Sequence, residues 1–324
     1  MIKKSKRVVN QQELKKYIVK NNCRLIDFLF EIFPSKSRNN IKMLLSKKLV
    51  LVDGAPISQF DFEVVKGDVI QISPVSVSKT KQKASKLKIL YEDENYLVIN
   101  KPAGLLSIAT DKEKTITAYR LCMDYVRSED IHSRIFVTHR IDKETSGVLM
   151  FTKNEKLRNI LQDNWNDLVV DREYIALIEG KMEKEEGTIV SWLRESDTNL
   201  MYSARKKGDG QKAITKYKTI MSNDKYSLMD VHIETGRKNQ IRVHFKEANH
   251  PIVGDEKYLS TCSPIARLGL HAKKLVIKNP LNDEVMTFVA NEDPIFKKVF
   301  EPNFKEAKPK SIKKEEIKSK KKKK

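Results

Sequence analysis

Two stretches carry the residues best suited to chemistry. The first, Thr138 to Phe151, reads THRIDKETSGVLMF: His139, Arg140, Asp142, Lys143 and Glu144 crowd together, a turn is predicted at Thr145-Ser146-Gly147, and the apolar run Val148-Leu149-Met150-Phe151 predicts a buried strand. A carboxylate at the mouth of such a strand, between Arg140 and Lys143, is kept charged by its neighbours and suits a nucleophile or an electrostatic anchor. A solvated loop pairing its own charges would look the same, so this stretch alone does not decide. The second, Glu234 to His244, reads ETGRKNQIRVH. Gly236 permits a tight turn, and Ile241, His244, Phe245 and Ala248 give a helical stripe. Arg237, Lys238 and Arg242 fall in the N-terminal half of that helix, where cations oppose the macrodipole. Their placement predicts an anionic partner, either a carboxylate of the protein or a phosphate, with an exposed basic face as the plain alternative. His244 on the apolar stripe reads as a hydrogen-bonded core residue rather than a base.

Both stretches need a scaffold. Strands are predicted at Ile89–Asp93, Tyr96–Asn100, Tyr174–Ile178, Ala213–Tyr217 and Leu228–Ile233, the last with Met229, Val231 and Ile233 alternating inward. Lys101-Pro102-Ala103-Gly104 forces a turn. Thr115 is placed to cap a helix with Tyr119, Cys122, Met123 and Val126 on its core face, and Leu157, Ile160, Leu161 and Trp165 line another. Hairpin-length spacings and few crossover helices predict an α+β fold with a mixed, largely antiparallel sheet and flanking helices.

The chain has 324 residues and is 40% hydrophobic, enough for a large core plus a small domain. It carries 63 Lys and Arg against 43 acidic residues, a formal charge of +20 that draws it toward nucleic acid or an anionic surface. Residues 305–324 hold +8 of that charge with almost no apolar residues and are expected to be a disordered Lys-rich tail. Cys23, Cys122 and Cys262 are widely spaced, which predicts neither disulfides nor a zinc site and points to the cytoplasm. Neither a secretion signal nor a membrane span is read from the sequence. Phosphate-loop, dinucleotide, zinc-protease and serine-elbow motifs are absent, although Ser146 beside Gly147 leaves a hydrolase formally open.

A compact basic module is predicted over residues 12–74, followed by a linker at 75–88. Leu25, Phe28, Leu29 and Ile32 form a helical stripe that Pro34 ends. A second helix turns Ile41, Leu44 and Leu45 inward, with Lys36, Arg38, Lys42, Lys47 and Lys48 at its ends and outer side. Two short strands with hairpin punctuation follow, Leu49–Val52 before Asp53-Gly54 and Val69–Ile72 after Lys66-Gly67-Asp68. The order Arg24-Leu25, Phe28-Leu29, Ser37-Arg38, Val52-Asp53-Gly54, Gly67-Asp68-Val69-Ile70 resembles the S-four type RNA-binding module, or alpha-L motif, of RNA-modifying enzymes. Lys48 stands where that family usually has Gly.

The larger part, a catalytic domain expected over residues 89–300, resembles the RluA family of pseudouridine synthases over about residues 89–292. The blocks are NKPAG at Asn100–Gly104, HRIDKETSGVLMFTK at His139–Lys153, REYIALIEG at Arg172–Gly180, GRKNQIRVHF at Gly236–Phe245, HPIVGDEKY at His250–Tyr258 and LHAKKLVIKNP at Leu270–Pro280. The resemblance implies a pseudouridine synthase fold, with Asp142 as catalytic nucleophile, Tyr174 against the base and Arg242 paired with Asp142. It also implies Arg140 as a wedge or phosphate contact, with Arg237 and Gln240 binding substrate beside the module's Arg38 and Lys42. The family usually has Thr-His where this chain has Lys238-Asn239, so a contact at that rim is expected to differ. The chemistry so implied breaks N1–C1′, turns the base and joins C5 to C1′. It needs no cofactor or metal, only a carboxylate acting at C1′ or at the base ring. The expected partner is structured RNA, ribosomal or transfer RNA with ribosomal RNA favoured, with no membrane and a monomeric protein. A non-catalytic RNA-binding protein on the same scaffold is the alternative, which an intact Asp142, Tyr174 and Arg242 disfavours.

Overall fold

The computed structural model describes residues 15–73, 87–110, 116–130 and 133–307. Most of the expected linker, most of the Lys-rich tail and the cap at Thr115 lie outside the described residues. The chain divides into two compact units, one of Met1–Lys86 with Cys122–Ser133 and one of Leu87–Leu121 with Arg134–Lys324.

In the first unit β1 (Lys16–Ile18), β2 (Cys23–Arg24), α1 (Leu25–Ile32), α2 (Arg38–Ser46), β3 (Val50–Val52), β4 (Ala55–Ile57), β5 (Glu63–Val64) and β6 (Val69–Ile72) follow in order. The sheet runs β1-β6-β3-β4, with β2 and β5 paired apart, so the module has more strands than the two its sequence suggested. Leu25, Phe28, Leu29, Ile41, Leu45, Val50 and Ile70 close the core. Asp53 and Gly54, with φ of 49° and 82°, make the two-residue turn joining β3 to β4. Lys48 takes φ of 53°, so this turn adopts the left-handed conformation with a side chain where the S-four type module it resembles usually has glycine.

The second unit is built on a sheet of eleven strands. Its elements are β7 (Lys88–Glu92), β8 (Tyr96–Lys101), α3 (Ala118–Glu129, shared with the first unit), β9 (Phe136–Val137), β10 (Ser146–Thr152), α4 (Glu155–Asp163), α5 (Trp165–Leu168) and β11 (Val169–Glu179). They continue with β12 (Glu186–Glu195), β13 (Met201–Ser203), β14 (Gln211–Ser222), β15 (Tyr226–Ile233), α6 (Gln240–Glu247), β16 (Leu270–Lys278), β17 (Val285–Val289) and α7 (Ile295–Lys298). The order β13-β12-β14-β15-β11-β16-β10-β8-β7 is antiparallel except for the central pair β10–β16, which confirms the mixed, largely antiparallel class. No helix among the described residues is long and apolar enough to cross a membrane.

Three local expectations need correction. Ser146 and Gly147 open β10 rather than forming a turn, because a parallel partner is already there: a Cβ on Gly147 would lie 2.0 Å from the Ala272 carbonyl oxygen. Only glycine permits that approach. Ile160 is exposed, since the helix breaks at Asn164 before Trp165 and the stripe narrows to Leu157 and Leu161. Gln240 to Phe245 are all buried, so the first turns of α6 are core on every side, including Arg242.

Candidate active site

Asp142 lies in the segment between β9 and β10, which is fastened from several sides. Thr138 Oγ1 donates to the Met150 carbonyl, and His139 Nε2 accepts from Met150 N. Ser107 Oγ donates to the Ile141 carbonyl (2.7 Å). The fully buried Lys101 gives its ammonium to the carbonyls of Pro102, Leu105 and Lys143, at 3.0, 2.7 and 3.0 Å. Burial pulls this lysine down to about 7, with the charges of Glu144 and Asp142 opposing. The NKPAG block, expected only to turn the chain, therefore braces the Asp142 loop through its lysine.

The carboxylate faces a cleft of about 500 Å³, and among the described residues it is the sole carboxylate on a wall that also presents Arg140, Arg172, Arg237, Lys238 and Arg242. Tyr174, Ile233, Ile241, Leu270 and Trp165 supply apolar surface. Tyr174 stands on β11 beside a bulge in the β11–β16 pairing. Burial pushes its hydroxyl up to about 12, with Arg172 opposing, so the phenol stays protonated at neutral pH and is not a resident phenolate base.

Arg242 reaches Asp142 as expected, Nη1 to Oδ2 at 3.2 Å, but its principal partner is Asp255. Nε and Nη2 of Arg242 form a two-pronged pair with the two oxygens of Asp255, both at 2.7 Å, and Asp255 is 1% exposed. Burial lowers the guanidinium, but Asp255, and then Asp142, more than offset it and raise it above its ordinary value. The anion predicted for this helix start is therefore a protein carboxylate in the case of Arg242, and also of Lys238, which pairs with Glu195. Asn239, expected at the rim, touches Asp142 itself: its Nδ2 donates to Oδ2 at 2.5 Å. Nothing in sequence spacing distinguishes Asn239 or Asp255, although both lie inside blocks that carry the family resemblance.

The other predicted residues separate clearly. Arg140 is exposed and makes no ion pair among the described residues. Arg237 lies on the wall and donates from Nε to the Lys212 carbonyl. Gln240 was expected to bind substrate, but its amide is committed internally. Its Oε1 accepts from Thr235 Oγ1 and Arg237 N, and its Nε2 donates to the Ile214 carbonyl and Thr215 Oγ1. It fixes the start of α6. Arg38 and Lys42 belong to the other unit, on the exposed side of α2. His244 is core, as expected, held down to about 4 by burial against an opposing Glu247. Ser146 is no elbow nucleophile: buried in β10, its hydroxyl lies between Arg267 Nη2 and His271 Nδ1, both at 2.7 Å.

Comparison with known proteins gives a consistent result. Residues 95–247 match the family model described as RNA pseudouridylate synthase. The uncharacterized RNA pseudouridine synthase YhcT of Bacillus subtilis (strain 168) is 33% identical over 227 residues, 69% of this chain and 75% of its own length. Ribosomal large subunit pseudouridine synthase D of Borreliella burgdorferi is 32% identical, over 76% of this chain and 74% of that protein. Among solved structures, Human RNA Pseudouridylate Synthase Domain Containing 4 superposes with a TM-score of 0.55 at 23% identity. That match covers 67% of this chain and 92% of the human one and shows the shared fold.

Proposed function

This chain belongs to the RNA pseudouridine synthases, which are isomerases, and from that premise we propose that it converts uridines of structured RNA, ribosomal in preference to transfer RNA, with Asp142 as nucleophile. The observation that carries the reading is the single carboxylate in a cationic cleft, held from one side only. The cations suit the phosphates around a flipped nucleotide, and the apolar patch at Tyr174, Ile233 and Leu270 suits its base. The carboxylate acts at C1′ or at the base ring, the N1–C1′ bond breaks, the base turns, and C5 joins C1′. The C5 proton leaves and N1 takes one up, so the overall composition is unchanged. Tyr174, as a neutral phenol, packs against the base, and unpaired Arg140 is free to hold a phosphate or fill the place of the flipped base. The ribosomal preference is supported by the Borreliella relative, which is named for the large ribosomal subunit.

We assign the N-terminal unit to RNA holding. Lys36, Arg38, Lys42, Lys47 and Lys48 are exposed, and none is paired with a carboxylate among the described residues. The test is pseudouridine mapping in total RNA from cells carrying the parent gene or Asp142→Asn. The variant should lose its sites while binding RNA as before, and full modification by it would overturn the assignment. Replacing Arg38 and Lys42 with Glu should flatten the salt dependence of binding by about 0.7 to 0.9 in log–log slope for each phosphate no longer neutralised. An unchanged slope removes that surface from recognition.

A further inference from the structure

We propose that Asn239 is a positioning residue for Asp142: it ties down Oδ2, so that Oδ1 is the oxygen presented to the uridine. The inference rests on the nucleophile reading above and adds to it which oxygen reacts and what fixes it. Two donors converge on Oδ2, Asn239 Nδ2 at 2.5 Å and Arg242 Nη1 at 3.2 Å. Oδ1 has no hydrogen bond among the described residues, and the side chain is 25% exposed. Arg242 is poorly placed to orient the carboxylate alone, because its two shorter bonds go to Asp255. The asparagine makes the closer contact.

The direction of its amide is settled by chemistry. Asn239 Oδ1 accepts from Lys257 Nζ and Tyr258 OH, both at 3.1 Å, and an ammonium can only donate. The oxygen must therefore face Lys257 and the NH2 must face the carboxylate, which in turn can only accept. The supports are themselves held. Tyr258 is buried, its backbone N–H donates to Asp255 Oδ1, and its hydroxyl accepts from Met201 N. One buried aspartate thus anchors both donors to Oδ2, Arg242 directly and Asn239 through Tyr258.

The backbone narrows which residues fit. Asn239 caps α6 with φ of 54°, a left-handed conformation that asparagine tolerates and most side chains resist. Glycine adopts it freely, so Asn239→Gly removes the amide without straining the turn. Asn239→Asp keeps the shape but sets a second carboxylate against Asp142, and Asn239→His restores one N–H donor.

The experiment measures tritium released from C5 by the full-length protein acting on unmodified ribosomal RNA transcribed with C5-tritiated uridine, with thermal unfolding recorded for each variant. Asn239→Gly should lose about 10²-fold in kcat with KM within about two-fold, the size expected when a reacting group drifts by an ångström. Asn239→His should recover most of that activity. Asn239→Asp should be as impaired as the glycine variant and fall further as pH rises, because two facing carboxylates cannot both ionise cheaply. A folded Asn239→Gly with parental kcat overturns the proposal, as does raised KM at unchanged kcat, which would make Asn239 an RNA contact. Asp142→Asn is assayed alongside. Activity there sinks the nucleophile reading, whereas its inactivity beside a fully active Asn239→Gly sinks the positioning role alone.

Discussion

Strand β11 separates two charged clusters, one on each face, because successive residues point to opposite sides. Asp171 and Glu173 look one way. Glu173 takes Lys273 on one oxygen and Lys274 on the other, both at 2.6 Å, while Asp171 takes His232 at 2.7 Å and Lys274 at 3.1 Å. Arg172 and Tyr174 look the other way, into the cleft with Asp142. There Asp255 has both oxygens occupied by Arg242, and Asp142 has only one. Both faces are rich in paired charge. Asp230, beside Glu173 and His232, also keeps a buried oxygen, Oδ1, without a hydrogen bond among the described residues, so what marks the cleft is an unspent oxygen on a carboxylate that lines a cationic wall.

The sharpest way to break this contrast is Arg242→Met. Asp255 would remain as a buried charge without a counterion, which costs about 3 to 5 kcal/mol. Activity should fall with stability, because the buried frame beneath Asp142 is removed. Asp142→Asn, altering a partly exposed group, should abolish activity while leaving the urea midpoint nearly where it was. If Arg242→Met unfolds at the parental midpoint, Asp255 is not the group that arginine serves.

The fold and half of the site were legible in the sequence for definable reasons. Strand alternation, the Asp53-Gly54 turn and the α1 stripe are local signals, and each appears where expected. Asp142, Tyr174 and Arg242 meet at one cleft as the family resemblance implies. The roles of Asp255, Asn239 and Lys101 are not legible in the same way, because they depend on partners far away along the chain. Lys101 reaches Lys143, and Asn239 reaches Asp142. Gln240 departs from expectation for the opposite reason: its place beside the arginines suggests substrate, but four internal hydrogen bonds exhaust its amide. A sequence shows which residues can hydrogen-bond but not which are already satisfied.

Histidines sharpen the comparison more gently. His232 on the charged face shares a hydrogen bond through Nδ1 with Asp171 Oδ1 at 2.7 Å, whereas His244 lies buried between Ser191 Oγ and Thr215 Oγ1, both at 2.9 Å. Burial holds His244 to about 4, below its ordinary 6.5. The unfolded chain therefore binds a proton that the native state refuses between those values. Stability from this residue is complete above pH 6.5 and is lost as pH falls, by about 1.4 kcal/mol per unit once well below it. Urea unfolding at pH 7 and pH 4.5 should show a parental loss of roughly 2 kcal/mol beyond that of His244→Gln. Equal losses would mean His244 is not held neutral.

The smallest effect is expected from Glu173→Gln, on the face away from the cleft. Burial pushes this carboxyl up, but Lys273 and Lys274 more than offset it and hold it below its ordinary 4.5. Its contribution is therefore present above that value and is lost as pH falls through the depressed one. Glutamine keeps the shape and one acceptor, and the two lysines are exposed enough, at 32% and 29%, to turn toward water. The cost at pH 7 should be about 1 to 2 kcal/mol, below the cost of stranding Asp255, because no charge is left buried alone. The gap between parent and variant should narrow as pH falls below 4.5. Turnover should stay within about two-fold, because Glu173 points away from Asp142 and shares no hydrogen bond with it. A ten-fold fall in kcat in a fully folded Glu173→Gln would show that the two faces are coupled through β11 and that their separation is only geometric.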